Sequence, residues 1–223
     1  MSAKTPPTLF ESESLPEKKA RMRKVLRALR TEFPVPACAL LHEDPFQLLI
    51  ATILSAQCTD ERVNMVTPDL FAKYSTAEEM ALAPQEEIAE IIHSTGFYQN
   101  KSKNIKACCQ ALVEQHNGEV PGTMEELVAL PGVGRKTANV VLGNAFGVPG
   151  YPVDTHVRRI ANLMEFTDSE NPEIIEQHLC AITPKKDWTD ASHLLILHGR
   201  KTCIARRPRC GECGVRKWCP AGI

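Results

Sequence analysis

The stretch Leu130-Pro131-Gly132-Val133-Gly134-Arg135-Lys136-Thr137 joins two helical patterns. One ends in Val128, Ala129 and Leu130; the next is carried by Ala138, Val140, Val141 and Leu142. Pro131, Gly132 and Gly134 allow only a tight turn between them. Two glycines let backbone N–H groups turn outward and approach an anion with no side chain in the way. A hairpin of this kind, opening onto a helix N-terminus, is suited to hold a phosphate. Lys136 then lies beside whatever carries that phosphate. The nucleotide-binding P-loop needs G-x-x-x-x-G-K-[ST] after a strand. Here Arg135 separates Gly134 from Lys136 and no strand-like run precedes Pro131, so that reading fails on spacing. The plainer competitor is an ordinary helix–turn–helix connection with a solvated lysine.

Asp154 adds weight to the chemical reading. It stands eighteen residues after Lys136, in Tyr151-Pro152-Val153-Asp154-Thr155-His156-Val157, just before the pattern Val157, Ile160, Ala161 and Met164. As an N-cap it accepts hydrogen bonds from the first turn of that helix, which explains the aspartate but not its company. If the two helices pack, the cap carboxylate and Lys136 are expected to face one cleft. A lysine nucleophile needs a neutral amine, and burial or a proton-accepting neighbour supplies it.

The C-terminus holds a second constellation: Cys203, Cys210, Cys213 and Cys219, spaced C-x6-C-x2-C-x5-C. Four cysteines packed this closely point to four-thiolate ligation, by zinc or by an iron–sulfur cluster. Structural zinc ribbons usually present two C-x2-C knuckles and this chain has one, so the spacing leans toward iron–sulfur. A disulfide pair is the alternative, disfavoured in a reducing compartment. Cys38, Cys58, Cys108, Cys109 and Cys180 are scattered through apolar or helical stretches and read as buried or ordinary thiols.

At 223 residues and 43% hydrophobic content the chain can fill one large domain or two smaller ones. No run of eighteen apolar residues or apolar signal core is present, so the expected location is cytoplasmic, in association with the nucleoid. The net charge of −1 argues at first against nucleic acid, but distribution matters more than the sum. Arg200 to Lys217 holds seven lysines and arginines against one acid, Glu212. Lys18 to Arg30 adds seven cations with no acid between them, and there a solvated amphipathic helix is the simpler reading. Acids concentrate at Glu78 to Glu90 and Glu165 to Glu176.

Periodicity is helical nearly throughout. Met22, Val25, Leu26, Leu29 and Phe33 form one face, and Asp44-Pro45 caps a helix carrying Phe46, Leu49, Ile50, Ile53 and Leu54. Thr67-Pro68, Ala83-Pro84 and Asn171-Pro172 read as further helix starts. Sustained period-two runs are absent. The expectation is an all-α protein of about ten short helices after a frayed, polar N-terminal tail over residues 1–17.

Five segments together resemble the endonuclease III family of helix-hairpin-helix DNA glycosylases and abasic-site lyases. They are Leu54-Ser-Ala-Gln-Cys-Thr-Asp60, Gly96-Phe-Tyr-Gln-Asn-Lys101, Leu130-Pro-Gly-Val-Gly-Arg-Lys-Thr-Ala138, Val153-Asp-Thr-His156 and the four terminal cysteines. Their order and joint presence are specific, and the resemblance runs from about Lys18 to Cys219. It implies two helical lobes flanking a DNA cleft. One, residues 38–148, is a helical barrel ending in the hairpin; the other combines residues 18–37 with 149–223 and carries a [4Fe-4S] cluster on Cys203, Cys210, Cys213 and Cys219.

The resemblance also implies roles. Lys136 matches the nucleophile and Asp154 the catalytic carboxylate, while Gln57 matches the residue that fills the gap left by an extruded nucleotide. Gly132, Gly134 and Arg135 in the hairpin, with Arg206, Arg207 and Arg209 between the first two cluster cysteines, fall where the family touches the DNA backbone. The implied partner is double-stranded DNA with damaged bases or abasic sites, bound by a monomer that removes oxidised pyrimidines and cuts by β-elimination through a lysine Schiff base. Two other readings compete. A related adenine glycosylase has a non-lysine residue in place of Lys136 and a further C-terminal domain, whereas this sequence keeps the lysine and stops four residues after Cys219. A non-catalytic DNA-binding module would use the hairpin and basic loop as architecture alone.

Overall fold

The structure is a computed structural model that describes residues 8–222. Among them are twelve α-helices, several single 3-10 turns and no strand. The helices are α1 (Leu9–Ser12), α2 (Leu15–Glu32), α3 (Pro45–Leu54), α4 (Asp60–Lys73), α5 (Ala77–Leu82), α6 (Gln85–Ile91), α7 (Tyr98–His116), α8 (Met124–Ala129), α9 (Arg135–Ala145), α10 (Thr155–Leu163), α11 (Pro172–Ile182) and α12 (Trp188–Lys201). Not all are short: α2 has 18 residues and α7 has 19. The chain divides into two compact units, one of residues 38–150 and one of residues 1–37 with 151–223.

The unit of residues 38–150 is built around α3. Phe46 and every residue from Leu48 to Leu54 are buried, so this helix is apolar on all sides and fills a core centre. Its start is local chemistry: the Gln47 N–H donates to Asp44 Oδ1 at 2.8 Å, and Pro45 occupies the first turn, where no N–H is needed. α9 packs on α3 and buries Ala138, Val141 and Leu142 in the same core. α7 closes the other side with Ile105, Cys108, Cys109 and Leu112, all fully buried. Burial pushes the Cys108 thiol up to about 12 and raises that of Cys109, with Cys108 and Glu78 adding to the second, so neither offers a thiolate.

Thr67-Pro68 does not start a helix. The helix begins at Asp60, capped by Thr59, whose hydroxyl accepts from the Arg62 N–H at 3.3 Å. Pro68 sits inside α4 on its exposed side, where water can reach the carbonyl that loses its partner.

In the other unit, α2 contributes Met22, Val25, Leu26 and Leu29 to a core shared with Val157, Ile160, Leu179, Leu194 and Leu195. The expected frayed tail is corrected here. Residues 1–7 lie outside the described residues, but from Thr8 onward the chain is ordered by local bonds. Thr8 and Glu11 form a capping box on α1, and the half-buried Glu13 pairs with buried Arg21 at 2.7 Å. Arg21 also donates to the Met164 carbonyl at 2.6 Å. A buried guanidinium needs such partners, which ties the segment down.

Candidate functional site

The hairpin closes through a Val133 N–H to Leu130 carbonyl bond of 3.1 Å, with Leu130 and Val133 buried as its anchors. Its two glycines answer to different needs. Gly132 has φ +77°, and a Cβ there would stand 2.8 Å from the Asn104 Cβ, so the turn and the packing both demand glycine. Gly134 is extended, caps α9, and has only open space where a Cβ would go. That space adjoins the N–H groups of the first turn of α9, which have no acceptor within the helix itself. Arg135 and Lys136 are exposed on that turn. Burial, one of the two expected means of keeping the lysine amine neutral, is therefore not in place in this structure.

Asp154 is the N-cap of α10, its Oδ1 accepting from the Val157 N–H at 2.8 Å. The preceding Tyr151, Pro152 and Val153 are buried, and the Ser192 hydroxyl donates to the Pro152 carbonyl at 2.7 Å. The carboxylate is thus held at the end of a clamped extended segment and is only half-buried.

Gln57 lies exposed in the turn after α3 with φ +52°, a left-handed backbone on a residue other than glycine. Such strain persists only where the surroundings impose it, and it gathers at ligand-binding positions. Gly96 and Phe97 repeat the pattern, with φ +69° and +48°, and the buried Lys101 ammonium donates to the Thr95 carbonyl at 2.9 Å beneath them. Phe97 is 63% exposed at the start of α7, a further surface candidate whose sequence signal is a glycine before an aromatic at a helix start.

The four C-terminal cysteines line one pocket with the apolar Ile160, Leu163, Met164 and Val215. None of the nine cysteines is in a disulfide. Burial raises the Cys203 and Cys213 thiols; Cys219, Cys213 and Cys210 raise the first further, and Cys219 and Cys210, with Glu32, raise the second, as expected of sulfurs gathered in one place. Among the described residues, no three His, Cys, Asp or Glu side chains group closely enough to hold a single metal ion. Zinc needs sulfurs converging at about 2.3 Å on one metal; a cluster gives each thiolate its own iron and suits a wider spread. This donor set fits an iron–sulfur cluster. Between Cys203 and Cys210 the exposed Arg206, Arg207 and Arg209 ride on a loop closed by an Arg209 N–H to Thr202 carbonyl bond of 2.9 Å. Arg159 donates to the Gly199 and Cys203 carbonyls behind it, a support not foreseen from sequence.

Comparison with known proteins agrees with these features. Residues 50–185 match the family of HhH-GPD superfamily base excision DNA repair proteins, and residues 203–219 match the iron–sulfur binding domain of endonuclease III. Endonuclease III of Synechocystis is 51% identical over 205 residues, covering 92% of this chain and 94% of that protein. The Escherichia coli enzyme is 46% identical over 201 residues, 90% of this chain and 95% of the other. A solved trapped covalent intermediate of endonuclease III with DNA superposes with TM-score 0.88 at 44% identity, covering 92% of this chain and 96% of that one. A thermostable thymine-DNA glycosylase shares the fold alone, with TM-score 0.82 at 24% identity over 94% and 99% of the two chains. The chain belongs to the HhH-GPD superfamily of base excision DNA repair proteins and, within it, to the endonuclease III family: DNA-binding glycosylases and abasic-site lyases that carry a [4Fe-4S] cluster.

Proposed function

We propose that this enzyme removes oxidised pyrimidines from double-stranded DNA and cuts the strand at the resulting or pre-existing abasic site, with Lys136 as the nucleophile and Asp154 as the catalytic carboxylate. The observation that carries the reading is the placement of Lys136 on the first turn of α9, immediately past a hairpin whose Gly134 faces open space. Phosphate oxygens of the backbone accept from the hairpin amides at Gly132, Gly134 and Arg135, and this holds the sugar beside the amine. The bound DNA supplies the desolvation that the protein alone does not.

The damaged nucleotide is extruded from the stack, and Gln57 fills the gap it leaves. The Lys136 amine attacks C1′, and the C1′–N bond breaks with its electron pair leaving on the base, which takes up a proton. Asp154 serves this step as proton acceptor for the amine or as counter-charge to the sugar. Loss of the amine proton and opening of the C1′–O4′ bond give an imine between Nζ and C1′. The imine acidifies the C2′ protons; removal of one expels the 3′ phosphate, and water then releases the lysine. The cluster, held by Cys203, Cys210, Cys213 and Cys219, pins both ends of the loop bearing Arg206, Arg207 and Arg209, whose charges meet the DNA backbone. The protein works as a monomer, in the cytoplasm at the nucleoid.

Borohydride reduction tests the central assignment. Wild-type enzyme mixed with duplexes bearing an oxidised pyrimidine or an abasic site is trapped as a covalent adduct. Lys136→Gln is not trapped on either duplex. An adduct formed by Lys136→Gln at the wild-type rate makes another amine the nucleophile.

A further inference from the structure

His198, near the end of α12, is 1% exposed and lies five residues before Cys203. Its Nε2 stands 3.8 Å from the Cys213 sulfur, while its Nδ1 is buried with no hydrogen-bond partner. A neutral imidazole carries one N–H and one bare nitrogen. With the proton on Nδ1, a buried donor would be orphaned and a nitrogen lone pair would face the sulfur lone pairs. With the proton on Nε2, the donor meets the sulfur and only an acceptor goes unpaired. Orphaned buried N–H groups are the rarer and costlier fault, so the second tautomer is the one the site selects. The Cys213 sulfur also accepts from the Val215 backbone N–H.

We infer that His198 tunes the cluster: its Nε2–H donates to the Cys213 sulfur, stabilises the reduced cluster and so raises the reduction potential. A reduced cluster carries one more negative charge, spread partly over its thiolates. Donors aimed at those sulfurs therefore favour it over the oxidised form. Such a donor on a buried helix is fixed before any electron arrives, unlike the arginines of the exposed loop. The inference rests on Cys213 being a cluster ligand.

The test compares the midpoint potential of the as-purified holoenzyme with His198→Phe, which removes the donor, and His198→Gln, which keeps an N–H at similar reach. Iron content and visible absorption are measured in parallel. The expected result is a lower potential in His198→Phe and recovery toward wild type in His198→Gln, each with a full cluster. An unchanged potential in a fully loaded His198→Phe overturns the inference while leaving the cluster assignment intact. Wild-type protein purified anaerobically without iron overturns both. Should His198→Phe fail to fold, pulsed electron paramagnetic resonance of reduced wild type, labelled with heavy nitrogen in histidine only, decides. Coupling of an imidazole nitrogen to the cluster is expected, and its absence refutes the bond.

Discussion

Gly132 sits against Asn104 so closely that a Cβ on the glycine would stand 2.8 Å from the Asn104 Cβ, while Gly134, two residues on, faces open space. Gly132→Ala therefore combines a left-handed penalty of about 1–2 kcal/mol with overpacking of about 1–3 kcal/mol. A clear drop in melting temperature is expected. Gly134→Asp does the opposite: aspartate is a good N-cap and fits the extended backbone, so the fold is retained. Its charge is then expected to oppose the phosphate proposed to sit on the hairpin, and duplex affinity should fall for damaged and undamaged DNA alike. Thermal melts alongside binding isotherms read both effects, and Gly134→Asp binding at wild-type affinity would move the phosphate site elsewhere.

Asp154→Asn keeps the cap on α10, because asparagine accepts from the Val157 N–H as well as aspartate does. Stability should change little, whereas Asp154→Ala should lose about 1 kcal/mol. Base excision should fall by orders of magnitude in both. A pre-formed abasic site, which has no base to displace, should still be trapped slowly by Asp154→Asn. Full excision activity in that variant would remove the carboxylate from the chemistry.

Gln57 occupies a left-handed conformation at φ +52°. Gln57→Gly relieves about 1–2 kcal/mol of strain against roughly 1 kcal/mol of added chain entropy, so it should melt no lower than wild type. Loss of the side chain should impair action on a base-containing lesion more than on an abasic site. Equal loss on the two substrates would assign Gln57 a role other than filling the vacated space.

Burial holds the His193 ring neutral and lowers its pKa below 6.5; Asp190 opposes this and Arg200 adds to it. In the unfolded chain the imidazole protonates near 6.5, before the folded protein does. The stability contribution is therefore complete above that pH and is lost as pH falls toward the folded value. Urea midpoints should drop on acidification through about pH 6, and His193→Gln should flatten that limb. An identical pH dependence in His193→Gln would place the effect on another group.

Helix boundaries were legible wherever they rest on neighbours in sequence. Asp44 before Pro45 and Asn171 before Pro172 start helices because cap and proline act within one turn. Thr67-Pro68 misled because the same dipeptide is tolerated inside α4 when its orphaned carbonyl faces water, and exposure is not a local property. The N-terminal segment was misread for a similar reason: Glu13 is held by Arg21, whose other partners are the distant Met164, Glu165 and Trp218 carbonyls.

The chain alone determined an all-helical protein, since the period of its apolar residues, its caps and its prolines act over a few residues at a time. It also marked Lys136, Asp154 and the four terminal cysteines, because reactive side chains at set spacings carry their chemistry with them. Only the tertiary structure decided that Gly132 is required by Asn104, that Gln57 is bent left-handed, and that His198 stands behind Cys213. Those facts depend on packing between distant segments, where one side chain's volume or proton meets a partner that no local rule names.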